Sequence, residues 1–202
     1  ICWSNLSLNT NDEALKLLRE HPTKINWNCL SMNSHPDALK LLQENPKKIN
    51  WYFLSGNSNN EALKLLRLNP KKINWHMLSG NSNNEALKLL RLNPTKIDWE
   101  ELSQNSNPDA LKLLQQEFTL NPENKNINWI WLSKNSNNDA LKWLQEHPEK
   151  IDWEELSSNS SAEALKMLRQ ELTLNPEKID WIWLSRNSHP DALKLLRLNP
   201  EE

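Results

Sequence analysis

The sequence predicts an all-α solenoid of eight helix–turn–helix repeats, and three observations carry the prediction. Trp3, Trp27, Trp51, Trp75 and Trp99 stand 24 residues apart, and the pattern resumes at Trp129, Trp153 and Trp181. After each Trp the chain shows a helix-opening signal, an apolar run and a Pro stop. Val is absent and Gly is only 2 of 202 residues, which argues against β-sheet, where β-branched residues concentrate.

Internal periodicity is the first thing to settle in such a chain, because it fixes the architecture. Cutting before the Ile that precedes each Trp gives repeats 1–24, 25–48, 49–72, 73–96, 97–126, 127–150, 151–178 and 179–202 of a single repeat domain. The consensus is Ile-(Asn/Asp)-Trp-x-x-Leu-Ser-x-Asn-Ser-x-x-(Glu/Asp)-Ala-Leu-Lys-Leu-Leu-Arg-x-Asn-Pro-x-Lys. Repeats three and four are nearly identical, as after a recent duplication. Repeat seven gains four residues around Gln170–Thr173, and repeat five gains a similar turn plus two residues before Ile127. Four residues are about one helical turn, so the insertion should lengthen a helix while nearly keeping its face.

The second helix of each repeat has the clearer signals. In repeat three, Ser58 and Glu61 are spaced for a capping box, and the same spacing occurs in all eight repeats. Ala62, Leu63, Leu65 and Leu66 cover roughly 160° of the helix, an arc suited to neighbours on both sides. Asn69-Pro70 ends it, because the residue before Pro disfavours helix. The first helix is short. Asn74 or Asp98 serves as its N-cap, and Ile73 with Leu78 matches a hydrophobic staple. Trp75, Leu78 and Ser79 share one face; His76, Met77 and Gly80 share the other. Trp75, Leu78, Ala86, Leu87 and Leu90 are the expected core. Helices this short are marginal alone, so stacking must hold them.

The string Ile-(Asn/Asp)-Trp-x-x-Leu-Ser-x-Asn, with its return to Asn-Pro-x-Lys-Ile, resembles short tandem repeats in proteins of giant DNA viruses and related genomes. There the turn often reads Ser-x-Asn-Pro-Asn-Ala-Ile; here it reads Ser55-Gly56-Asn57-Ser58-Asn59-Asn60. The resemblance covers the whole chain and implies a repeat architecture without transferring any catalytic residue. In length and layout the repeat is also similar to leucine-rich variant repeats, solenoids that alternate an α-helix with a 3₁₀ helix.

Function is best sought in the contrast between constant and variable positions. The pair after each Trp reads Ser4-Asn5, Asn28-Cys29, Tyr52-Phe53, His76-Met77, Glu100-Glu101, Ile130-Trp131, Glu154-Glu155 and Ile182-Trp183. Three positions on, the residue is Leu8, Met32, Gly56, Gly80, Gln104, Lys134, Ser158 or Arg186. A fixed frame with a variable stripe is the pattern of recognition solenoids, and unconstrained surface rarely accepts such aromatics. The expectation is a non-enzymatic scaffold binding a protein or peptide partner through this stripe. Its centre is expected in repeats six to eight, where Glu154 and Glu155 lie between two apolar-basic sets, Ile130, Trp131, Lys134 and Ile182, Trp183, Arg186. A matching partner would carry two apolar anchors with a basic group between. The alternatives are a structural subunit stacking head to tail in a virion or filament, and a single-stranded nucleic-acid reader. Stacking draws on Leu6, Leu15 and Leu18 at one end and Leu184, Leu193 and Leu196 at the other.

Other features read as structure. The constant Trp shares a face with the constant Leu, so it is expected in the core rather than in a base-stacking platform. Constant Asn9, Asn33, Asn57, Asn81, Asn105, Asn135, Asn159 and Asn187 read as a ladder satisfying turn backbone. Each lysine of the stripe from Lys16 to Lys194 follows an Asp or Glu by three residues, a solvated paired face. None of the 5 histidines has metal-ligand spacing. The carboxylate pairs Glu100-Glu101 and Glu154-Glu155 lie two repeats apart, too far for shared chemistry. No catalytic residue, metal or cofactor is expected. The net charge of −2 gives no global attraction to nucleic acid or anionic membrane, and no apolar run approaches a membrane span. Cys2 and Cys29 form no CxxC and suggest a reducing compartment, cytoplasmic or virion-associated. Because it starts at Ile1, the chain is expected to be a fragment, a processed product or part of something longer.

Overall fold

The computed structural model describes residues 1–198, so the Asn199-Pro200 close of the eighth repeat lies outside the described residues. All regular structure among them is helical, and each repeat contains a helix pair, as expected. The first helices span Trp3–Leu8, Trp27–Met32, Trp51–Ser55, Trp75–Ser79, Trp99–Gln104, Trp129–Lys134, Trp153–Ser158 and Trp181–Arg186. The second span Asp12–Glu20, Pro36–Glu44, Asn60–Leu68, Asn84–Leu92, Pro108–Leu120, Asn138–Glu146, Ala162–Leu174 and Pro190–Leu198. The chain forms two compact units, 1–101 and 102–202. Within each, first helices pack on first helices and second on second of the adjoining repeat, which is the solenoid arrangement. No described helix is long and apolar enough to cross a membrane.

The Pro stop does more than end the second helix. Pro22–Lys24, Pro46–Lys48, Pro70–Lys72, Pro94–Lys96, Pro148–Lys150 and Pro176–Lys178 each form one 3₁₀ turn. Pro supplies the fixed φ of its first position and lacks only an N–H the turn does not need. In repeat five the two extra residues replace this turn, and Asn124 Nδ2 instead donates to Glu117 Oε1 at 2.8 Å. The inserted residues extend the second helices of repeats five and seven to 13 residues, against 9 elsewhere. That is the extra turn the sequence predicts.

Three expectations are corrected. First, the second helix is capped one residue later than the capping box implies. Asn59 Oδ1 accepts the Glu61 amide at 2.8 Å, while its own N–H is held by Asn57 Oδ1 at 3.0 Å. The Glu61 carboxylate, free of the box, takes Lys64 at 2.6 Å. Asn11, His35, Asn83, Asn107, Asn137 and His189 cap in the same way, and Ser161 caps repeat seven through the Ala164 amide. Second, Leu78, Ala86, Leu87 and Leu90 are buried as expected, but Trp75 is only half-buried, as are all its counterparts. Each of these Trp is the first residue of its helix, whether that helix has five residues or six. The ring lies towards the Pro turn, as when Trp3 meets the His21 ring edge-on at 5.3 Å. Third, Leu15, Leu18 and Leu184 are buried, Leu6 and Leu196 half-buried, and only Leu193 is exposed. The leucines assigned to bare outer faces are mostly turned inward onto their own repeats.

The frame is stitched by two buried polar ladders. Ser31 Oγ donates to Trp27 O at 2.7 Å and accepts the Asn50 N–H of the next repeat at 3.0 Å. Asn57 Nδ2 donates to Ser31 O and Asn33 O of the preceding repeat, both at 3.0 Å. The Asn ladder thus satisfies turn backbone as expected, on both sides of each junction. Among the described residues, no buried side-chain nitrogen or oxygen lacks a partner, so these polar groups carry no desolvation penalty for unmade bonds.

Candidate functional site

The variable stripe runs along the first helices; that of repeat one follows Cys2 and has no side-chain cap, and those described below are held by an Asn or Asp N-cap. Asn50 Oδ1 accepts from the Phe53 amide, Asn74 from Met77, Asp98 from Glu101, Asn128 from Trp131, Asp152 from Glu155 and Asp180 from Trp183. The capped amide therefore belongs each time to the second variable residue, which fixes its backbone. Tyr52, His76, Glu100, Ile130, Lys134, Glu154, Ile182, Trp183 and Arg186 are exposed, whereas Phe53, Met77, Glu101, Trp131 and Glu155 are half-buried. The division has a cause. The second variable residue of one repeat lies against the third variable residue of the repeat before it. A Cβ added at Gly56 would stand 2.8 Å from Met77 Cε, and one at Gly80 would stand 3.4 Å from Glu101 Oε2. Lys134 Nζ meets Glu155 Oε2 at 3.2 Å by the same rule.

Within 102–202 the two apolar-basic sets are built alike. Lys134 Nζ lies 5.4 Å from the Trp131 ring centre, and the Arg186 guanidinium carbon lies 5.0 Å from that of Trp183. Each is a cation–π stack that holds an indole in place. The glutamates between them are engaged by the protein itself. Glu154 Oε1 accepts the Trp183 indole N–H at 2.8 Å, and Glu155 pairs with Lys134. Among the described residues, Arg186 is the charge of this set that stacks on its indole without a carboxylate partner.

Within 1–101 the stripe is apolar at first, with Leu8, Met32 and Tyr52 exposed, and acidic at its end. His76 stands between its neighbours' carboxylates, with Nδ1 3.0 Å from Asp98 Oδ2 and Nε2 3.6 Å from Glu101 Oε1. The bond to Asp98, aided by Glu101 and Glu100, raises the imidazole above its ordinary pKa. Burial opposes ionisation of Asp98, but His76 and the Glu101 and Glu100 amides hold its carboxyl below its usual range. A ring with both nitrogens facing carboxylates is a clasp between repeats, tightened when the ring is protonated.

Sequence spacing missed one grouping. Asp12, His35 and Asp37 come together as the described residues' one cluster of metal-ligand type. His35 Nδ1 accepts the Asp37 amide at 3.2 Å, so the ring proton sits on Nε2, 3.0 Å from Asp12 Oδ1. Neither nitrogen of a neutral ring so placed has a lone pair to spare for a cation. The histidine is a helix cap locked in one tautomer. The alignment of position 12 with position 36 along the repeats was the available signal. Single exposed leucines before the Pro stop, Leu68, Leu92, Leu120 and Leu174, were also overlooked. They occur one to a repeat, and scattered single apolar side chains are ordinary surface.

The lysine stripe is paired throughout, from Lys16 with Glu13 to Lys194 with Asp191. Even the groove of about 420 Å³ between the second helices of repeats seven and eight has Asp191 beside Lys194 among its lining. Searched against protein-family models, curated proteins and solved structures, the chain matches none of them.

Proposed function

We propose that the chain is a non-enzymatic, modular scaffold that binds a peptide or protein segment along the variable stripe. The observation that supports this best is the anchor built twice, at Ile130-Trp131-Lys134 and Ile182-Trp183-Arg186. Ile130 is 50% exposed, Ile182 65% and Trp183 37%, on a frame whose constant side chains are spent on packing and ladders. Aromatic side chains fixed before contact lose little freedom on binding, which is how hot spots gain affinity. Because Glu154 and Glu155 already have partners, the bound segment needs two apolar side chains and an acceptor for Arg186, not a basic group between the anchors.

The test is selection of a displayed random-peptide library on the intact chain. The parent should enrich peptides with two spaced apolar residues. Trp131→Ser with Trp183→Ser should lose that enrichment while keeping the parent's helicity and cooperative melting. Identical peptides from both proteins would show that the ligand lies elsewhere.

A further inference from the structure

The stripe within 1–101 differs in make-up from that within 102–202, and the difference specifies a ligand. We propose that this face takes a peptide segment whose apolar side chains are followed by a Lys/Arg-bearing end, with the basic end over repeats four and five. The proposal rests on the reading of the stripe as the recognition face.

The contact rule of the stripe gives the line its continuity. Gly56 against Met77 and Gly80 against Glu101 show the third variable position of one repeat meeting the second of the next. Repeat equivalence places Leu8 beside Cys29 and Met32 beside Phe53. Tyr52 and Phe53 meet edge-on with ring centres 5.2 Å apart. Leu8 is 42% exposed, Met32 48% and Tyr52 45%. Methionine adds a flexible, polarisable surface that adapts to varied apolar partners. Past Phe53, glycines at the third position let Met77 and then Glu101 of the following repeats close in over them, so the line passes from apolar to acidic side chains.

There the chemistry changes sign. Asp98 and Glu101 stand against the two nitrogens of His76, and Glu100 is the exposed residue next to Glu101. The variable positions of this region hold two glutamates, one histidine and no Lys or Arg, with Asp98 beside them, so the formal charge at this end is negative at neutral pH even when the ring is charged. An apolar line closing on an acidic end complements a segment that is apolar and then basic, and the charge sets its direction as well as its encounter rate. Four repeat steps of about 8–10 Å each make a face spanned by about 10–12 extended residues.

Three labelled peptides of ~14 residues, long enough to span the face, test this by fluorescence anisotropy against the intact chain. One carries an apolar half and a Lys/Arg half, the second replaces Lys/Arg with Glu/Asp, and the third scrambles the first. The basic-tailed peptide should bind about tenfold tighter than the acid-tailed one, and Glu100→Gln with Glu101→Gln should remove most of that preference. Met32→Ser with Tyr52→Ser should weaken the basic-tailed peptide by about tenfold. Equal binding of basic and acidic tails, unchanged preference in the glutamine variant, or no binding by any peptide overturns the proposal. If the serine variant still weakens binding while the charge arms fail, the stripe stands and only the ligand class falls. If the serine variant has no effect either, the stripe reading falls for these repeats too.

Discussion

Residues 1–101 and 102–202 are built from the same repeat and solve the same packing problem differently. In the first region all second helices have 9 residues, and the slot at Leu17, Leu41, Leu65 and Leu89 is filled by leucine. In the second the slot holds Leu113, Trp143, Met167 and Leu195, at 8%, 4%, 4% and 4% exposure. The extra helical turn of repeat five supplies Phe118, whose ring centre lies 5.3, 5.8 and 5.0 Å from those of Trp129, Trp143 and His147. An insertion of one turn is thus absorbed as an aromatic cluster that keeps the helix face, with Trp143 buried and Phe118 and Trp129 half-buried around it. The variable stripe diverges in parallel: adaptable methionines and glycines on one region, cation-braced indoles on the other.

The largest expected effect breaks this comparison if it fails. Trp143→Ala should cost about 3–5 kcal/mol, as for a core aromatic, and Leu65→Ala about 2 kcal/mol, because Leu65 is half-buried. Urea denaturation of the intact chain, followed by tryptophan fluorescence, measures both. Equal losses would mean that the aromatic cluster adds nothing beyond the ordinary slot.

The ladders, by contrast, should be indifferent to region. Asn57→Ala and Asn159→Ala each remove an amide bonded to two preceding carbonyls and an acceptor for a cap N–H. Leaving such buried groups unmade should cost about 2–4 kcal/mol in either place. A difference of more than about 1 kcal/mol between them in the same denaturation series, beyond the usual spread for such bonds, would show that the two frames are not equivalent.

Smaller effects sharpen the view of the stripe. Gly56 and Gly80 both have right-handed helical backbone, with φ of −84° and −77°. Alanine there should stabilise by about 0.5–1 kcal/mol through reduced freedom of the unfolded chain. Gly80→Ala should realise that gain in its melting midpoint. Gly56→Ala should show less, because the new Cβ displaces the Met77 methyl. A full gain at both would mean that Met77 does not seat on Gly56.

The smallest effect is electrostatic. The folded-state pKa of His76 is raised, so its stabilisation is present in full below the unfolded value of about 6.5 and fades as pH rises through the higher folded value. Asp98, lowered, contributes above about 3.9 and loses its share as pH falls further. Parent minus His76→Gln stability should therefore be larger at pH 6 than at pH 8.5. The change should be about 0.5 kcal/mol or less, since the pair is half-exposed. A difference that is flat with pH would remove the clasp between repeats four and five.

The sequence alone determined the repeat boundaries, the helix pairs, the extra turns and the paired lysine face. Those features rest on interactions within a few residues: a Pro that cannot continue a helix, an acid three places before a lysine, an apolar arc of fixed period. It also picked out the stripe, since variation against a constant frame is legible without coordinates. What only the tertiary structure decided lies at separations of 18 to 31 residues, from one repeat to the next. Whether Ser58 or Asn59 caps a helix depended on Asn57, whose oxygen holds the Asn59 N–H while its amide reaches the repeat before. Whether Glu154 and Glu155 faced outward depended on an indole and a lysine of the adjoining repeats coming within bonding distance. Trp75 sits half-bare at the first position of its helix, although it shares a face with the fully buried Leu78. Local rules set each element; the offset between stacked repeats chose among competing partners, and that offset is a property of packing.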